Sequence, residues 1–195
     1  MVTIKIILGS TRPNRFGIQP ATWIKDLSEQ FADQATFEII DLQAIDLPML
    51  DEPVPPSAVE EYAHEHTRKW AEIIGDADGF VFVTSEYNHS IPASLKNAID
   101  FIYKEWAYKP AAIVAYGADA GGARAVEHLR NVLSWVKVFH ISEHIIIPEY
   151  YLNLDEAGNY KFSEQQQAKA KNMLTQLVFW TNEFKASRQK LQAKN

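Results

Sequence analysis

The chain has 195 residues, 47% of them hydrophobic, with a formal net charge of −6 and no cysteine. That is enough for one domain with a substantial core across residues 1–195, and the acidic balance argues against a nucleic-acid or anionic-membrane partner. The missing cysteines exclude disulfides, thiolate metal sites and cysteine nucleophiles and fit a cytoplasmic protein, and no stretch approaches the roughly 18 apolar residues of a membrane span.

The first predicted strand is Val2 to Leu8, where only Lys5 interrupts an aliphatic, β-branched run suited to burial on both faces. The run is too short for a signal peptide and passes straight into a polar turn, Gly9-Ser10-Thr11-Arg12-Pro13-Asn14-Arg15-Phe16-Gly17. A helical period follows, with Trp23, Ile24 and Leu27 on one side and Phe31 a turn further on. A strand, a turn of hydroxyls and arginines, then a helix N-terminus is an arrangement that holds a phosphate. Free N–H groups and the positive end of the helix dipole face the anion, and Arg12 and Arg15 are placed to neutralise it. The turn has neither the Walker A pattern nor G-x-G-x-x-G, so a single terminal phosphate suits it better than a pyrophosphate. The plainer alternative is that Ser10 and Thr11 cap the helix and both arginines are solvated.

The second strand is Phe37 to Leu42, followed by a proline-rich connection, Leu47 to Pro56. Ser57 and Glu60 have capping-box spacing, which predicts a helix opening there and running through Tyr62, Trp70, Ile73 and Ile74. The third strand, Gly79 to Thr84, meets the turn Ser85-Glu86-Tyr87-Asn88-His89-Ser90. A helix then starts at Ile91-Pro92, with Leu95, Ala98, Ile99 and Ile102 on its buried face. The fourth strand, Pro110 to Tyr116, ends at Gly117 and the Gly121-Gly122 pair, and a helix with Val126, Leu129, Val132 and Leu133 on one face follows. Val136 to Ile141 reads as a short fifth strand, which Ile145 to Pro148 either extends or follows as a separate piece. Asp155 to Asn159 is a turn, and Ser163 with Gln166 caps a last helix whose apolar side is Met173, Leu174, Leu177, Val178 and Phe184.

Five βα units without a repeat specify an α/β fold, a doubly wound five-stranded parallel sheet with helices on both faces, here taken in the order 2-1-3-4-5. Ligands in such sheets sit beyond the carboxyl ends of the strands at the switch point. The turns at Gly9 to Gly17, Ser85 to Ser90 and Gly117 to Gly122 leave adjacent strands in that order and converge on one crevice.

Together the three turns resemble the NADPH-dependent FMN reductase family, a flavodoxin-like group that includes chromate, azo and quinone reductases, and the resemblance implies the flavodoxin-like form of this fold. The most specific stretch is Glu86-Tyr87-Asn88-His89-Ser90-Ile91-Pro92-Ala93-Ser94-Leu95-Lys96-Asn97-Ala98-Ile99-Asp100, which looks like the family's P-E-Y-N-x-S-x-P-x-x-L-K-N-A-I-D signature. Ser10 and Arg12, with Arg15, Phe16, Gly17 and Ile18, match its FMN-phosphate turn, and Tyr116-Gly117 with Gly121-Gly122 match its third flavin loop. Ser85 stands where the family has proline, adding a backbone donor and loosening φ.

The resemblance implies FMN as cofactor, NADPH or NADH as electron donor, a small-molecule acceptor and a homodimer or homotetramer. Glu86, Tyr87 and Asn88 would meet the flavin mainly through their main chain, with Tyr87 or Phe16 covering apolar surface and Gly117 permitting close approach. The cofactor performs the hydride chemistry, so no catalytic acid or base is expected. Lys96 and Asp100 read as an i,i+4 surface pair, and Trp106 is a candidate for the flavin's edge. The spacing of His64, His66, His140 and His144 does not suit a metal site, and no G-x-S-x-G elbow occurs. The rival reading is a flavodoxin-like FMN-carrying electron shuttle or redox-sensing module, against which Arg12, Arg15 and the modest acidity speak.

Overall fold

The computed structural model describes residues 1–192. Five strands, β1 (Val2–Leu8), β2 (Ala35–Asp41), β3 (Gly79–Ser85), β4 (Pro110–Tyr116) and β5 (Phe139–Ile147), form one parallel sheet in the order β2-β1-β3-β4-β5. Six helices cover it: α1 (Ile18–Ser28), α2 (Leu42–Ile45), α3 (Glu65–Gly75), α4 (Ala93–Asp100), α5 (Ala123–Trp135) and α6 (Glu164–Gln192). Strand residues alternate between two cores. Ile7, Phe80, Phe82 and Ile113 pack under α3, α4 and α5, whereas Ile4, Ile6, Val81 and Val114 pack under α1 and α6. Each such side chain contributes about 1.5–3 kcal/mol by leaving water. Lys5 is buried within β1 because Glu38 and Asp76, at 2.6 and 3.2 Å, neutralise its ammonium.

Three expectations need correction. The Ser57–Glu60 box opens no helix: Pro56–Ala58 is a single 3-10 turn and α3 begins only at Glu65. Tyr62 is buried instead and donates to Glu105 at 2.6 Å. Glu52 accepts the N–H groups of Ala63 and His64, which holds that segment extended. Tertiary burial of one tyrosine outweighs a local capping signal. The fifth strand starts later, at Phe139, and runs unbroken to Ile147. Ala111 pairs with His140 and Ile113 with His144, so β5 accommodates two extra residues where polar Ser142 and Glu143 interrupt its apolar pattern. Leu42 leaves β2 to begin α2, because Asp41 caps that helix by accepting the Gln43 N–H.

The remaining elements follow the sequence pattern. Ser163 and Gln166 exchange side-chain-to-backbone bonds of 2.8 and 3.2 Å at the start of α6. Asp155 to Asn159 is a tight turn with Gly158 at φ +82°.

Candidate functional site

The carboxyl ends of β1, β3 and β4 carry the three turns. Gly9 remains tied to the sheet by its N–H to Val83 O (2.9 Å), and Ser94 of α4 donates to Gly9 O at 2.6 Å. Beyond it the chain leaves the ladder, and the N–H groups of Thr11, Asn14, Phe16 and Gly17 have no partner among the described residues. α1 starts at once with Gly17 at its N-cap, no side chain capping it and no acidic residue in its first turn. Unpaired donors and an uncompensated helix N-terminus favour an anion there.

The two arginines differ. Arg12 is exposed and has no ion pair among the described residues. Arg15 turns the other way and pairs with Asp41 at the end of β2, with its side chain only 6% exposed. Its charge is therefore already met by a carboxylate, and its Nε is buried without a partner. Phe16 is also drawn inward, stacked on Tyr150 with ring centroids 4.1 Å apart and edge-on to Tyr116 and Tyr160. Ile18, first residue of α1, is about half exposed.

The second turn is a two-residue hairpin. Tyr87 and Ser90 exchange main-chain bonds of 2.9 and 3.0 Å, with Asn88 and His89 between them at φ +51° and +64°. Both central residues being left-handed is the type I′ geometry, and it leaves the Asn88 and His89 N–H groups without a protein partner among the described residues. The Glu86 side chain is used structurally. It accepts the N–H groups of Arg124 and Ala125, at 3.0 and 3.3 Å, and so caps α5 from outside. Gly117 sits in a close approach of the two turns, where a Cβ would crowd Gly122 N at 3.1 Å and Glu86 Cβ at 3.3 Å. Gly122, at φ +92°, could not carry a Cβ without meeting Ala115 at 2.7 Å.

Between the turns lies a group of hydroxyls. Ser10 Oγ and Tyr87 Oη are 2.9 Å apart. Ser85 Oγ and Tyr116 Oη are buried and make no well-formed hydrogen bond among the described residues; the Tyr116 phenol lies near the Ser10 and Ser85 hydroxyls, which partner it only loosely. A Cβ on Gly17 would lie 2.7 Å from Tyr116 Oη, which places that hydroxyl beneath the β1 turn. Burial pushes the Tyr116 phenol up to about 12, so it stays protonated and can donate. Of five buried polar side-chain atoms left unpartnered among the described residues, Arg15 Nε, Ser85 Oγ and Tyr116 Oη gather here. Such atoms cost stability unless a ligand or water satisfies them.

Trp106 does not reach this crevice. It is buried in the core against Phe80 and Trp70 and donates to Ile99 O, because the turn preceding β4 lies at the opposite end of the sheet. Lys96 and Asp100 form the expected surface pair at 2.5 Å. Two features escaped the sequence reading: Asp41 as partner of Arg15, and a cleft of about 450 Å³ beside the first turn, lined by Thr11, Gln43, Met49 and Asn97 among others. Asn97 builds one wall by donating to Pro48 O and accepting from Leu50 N. Only the asparagine within the signature hinted at it.

A five-stranded parallel sheet in this order, with donor-rich turns at the switch-point ends of three adjacent strands, defines a flavodoxin-like fold. Residues 2–151 match the family described as NADPH-dependent FMN reductase, and the chain belongs to that family. It is 40% identical to the NAD(P)H-dependent FMN reductase LOT6 of Saccharomyces cerevisiae, over 69% of this chain and 75% of that one. It is 31% identical to a 2-hydroxy-1,4-benzoquinone reductase of a Burkholderia species, over 79% and 80%. In fold it resembles FerB, a flavoenzyme NAD(P)H:(acceptor) oxidoreductase of Paracoccus denitrificans, with a TM-score of 0.73 at 24% identity over 94% of this chain and 99% of that one. Membership of the family implies FMN and NAD(P)H, and the free N–H groups and hydroxyls of the crevice fit a flavin phosphate.

Proposed function

We propose that residues 1–195 form a single FMN-binding oxidoreductase domain that takes electrons from NADPH or NADH and passes two to a quinone, azo compound, metal oxyanion or free flavin. The observation that carries this reading is the group of buried hydroxyls, Ser85 Oγ and Tyr116 Oη without a well-formed hydrogen bond, beneath a turn of free N–H groups. Bound FMN supplies the hydride chemistry. The chain's own groups hold and orient it. Arg12, Ser10 and the N–H groups of the β1 turn bind the phosphate, Ser85 and Tyr116 donate from below, and the Asn88 and His89 N–H groups face the ring. Tyr87, 36% exposed, is the ring that covers flavin surface, since Phe16 is committed to the aromatic core. Arg15 positions the turn through Asp41.

The chain works as a homodimer or homotetramer in the cytoplasm. Among the described residues no helix is long and apolar enough to cross a membrane. The larger apolar residues of α4, Leu95 and Ile99, are buried with Ala98 in this chain's own core, and only Ala93 is apolar and exposed, so that helix offers little outer apolar face. Support for self-association comes instead from exposed Phe139, Ile146, Phe179 and Trp180 along edge strand β5 and helix α6.

Anaerobic mixing of the FMN-loaded protein with NADPH or NADH should bleach the flavin absorbance, and steady-state rates with a quinone should give parallel, ping-pong lines. Failure of both nucleotides to bleach it would favour the electron-shuttle alternative. Intersecting lines would refute the shared crevice. Light scattering of the same sample should give at least twice the chain mass, and a monomer at every concentration would contradict the oligomer.

A further inference from the structure

At the other end of the sheet, the residues just before β3, β4 and β5 are Asp78, Lys109 and Lys137–Val138. Asp78, Lys109 and Lys137 border two adjoining cavities of about 430 and 370 Å³ that share Lys104, Ala107 and Arg188. Around them stand five cationic side chains, Lys104, Lys109, Lys137, Lys185 and Arg188, against only two carboxylates, Asp78 and Glu105. Asp78 is consumed by Arg188 and Lys185, both at 2.7 Å, and Glu105 accepts from Tyr62. Lys104, Lys109 and Lys137 thus have no carboxylate partner among the described residues. Lys109 is 6% exposed and gives two of its three ammonium hydrogens to Ile74 O and Gly75 O, at 2.7 and 3.1 Å.

Aromatic faces adjoin the charge. Lys137 Nζ lies 5.6 Å from the Tyr103 ring centre and 5.7 Å from that of Tyr108. Tyr108 and Lys137 are joined by a 2.8 Å main-chain bond, and both have φ +60°. A tyrosine and a lysine paired in the left-handed region is a costly arrangement for non-glycine residues, and such strain gathers at ligand sites.

We propose that this amino-terminal rim is a second binding site, for a small phosphorylated aromatic compound of mononucleotide size. Its phosphate meets the cations without a carboxylate partner, Lys104, Lys109 and Lys137, and its ring lies on Tyr108 or Tyr103. Lys109 is held down to about 8 by burial and by Arg188, against the pull of Asp78, Glu105 and Asp76. Lys104 and Lys185 also face it. Binding therefore weakens as pH rises through that value.

The test is calorimetric titration of FMN-loaded protein with 5′-AMP, adenosine and inorganic phosphate. AMP should bind saturably and at least about tenfold more tightly than either fragment, and its affinity should fall between pH 7 and pH 9. Lys137→Gly and Tyr108→Gly relieve the backbone strain while deleting the side chain. Each should keep or raise the melting temperature and weaken AMP binding by about fivefold or more. Absence of saturable heat, unchanged affinity in both variants, or displacement of AMP by NAD⁺, which would locate it in the donor crevice, overturns the proposal.

Discussion

Ser85 and Tyr116 show at the scale of single residues how the crevice is prepared. An unpartnered buried hydroxyl costs stability, and replacing it by a matched apolar group removes that cost. Tyr116→Phe should therefore leave the flavin-free protein as stable or more stable in thermal unfolding. The same variant should bind FMN about 2- to 13-fold more weakly, corresponding to one hydrogen bond of about 0.5–1.5 kcal/mol. A fall in flavin-free stability with unchanged FMN affinity would mean that the phenol serves only the fold. Ser10, Arg12 and Tyr116 stood out in the sequence as candidates because strand-end turns in a doubly wound sheet have few other duties, and the folded chain brings these turns to one end of the sheet. The inward turn of Arg15 and Phe16 was not. It depends on Asp41 and Tyr150, whose proximity to that turn only the folded chain determines.

Glu86 joins two elements, and its carboxylate is where the long signature acquires a physical reason at its glutamate. The end of β3 supplies a cap for α5, whose own N-cap is Gly122 with no side chain to offer. Glu86→Ala should lower stability by about 0.5–2 kcal/mol, as lost caps do, or roughly 2–4 °C in melting temperature per kcal/mol for a chain of this size. Amide exchange at Arg124 and Ala125 should quicken. An unchanged melting temperature with unchanged exchange would show that water replaces the carboxylate at no cost. The strands were readable because buried parallel strands are almost pure runs of β-branched and aromatic residues, and β4 was placed to the residue. Signals of two or three residues were less dependable. The box at Ser163 and Gln166 forms, whereas that at Ser57 and Glu60 loses to the burial of Tyr62 and the hold of Glu52.

Across the whole molecule, the buried titratable groups set an alkaline stability profile. Lys109 has a folded value of about 8 against an ordinary 10.5, so between those values the unfolded chain binds more protons and stability rises with pH. Tyr116, up at about 12, and Tyr62, raised by burial and by Glu105, act in the opposite sense. Their unfolded forms ionise near 10 first, so stability falls above that pH. Urea unfolding from pH 7 to 11 should therefore show a rise beginning near pH 8 and a decline beyond about 10. Lys109→Met should lack the rise, and a rise of the same size in that variant would assign it elsewhere.

The central claim is that the phosphate of FMN sits on the β1 turn with Arg12 as its free cation. Titration of FMN and of riboflavin against wild type and Arg12→Ala at fixed salt tests it most directly. Loss of a charge-assisted bond worth about 1.5–3 kcal/mol should weaken FMN roughly 10- to 150-fold. Riboflavin, which lacks the phosphate, should bind both proteins equally, and folding should be nearly unchanged because Arg12 is exposed. No loss for FMN, or an equal loss for both flavins, would contradict the account.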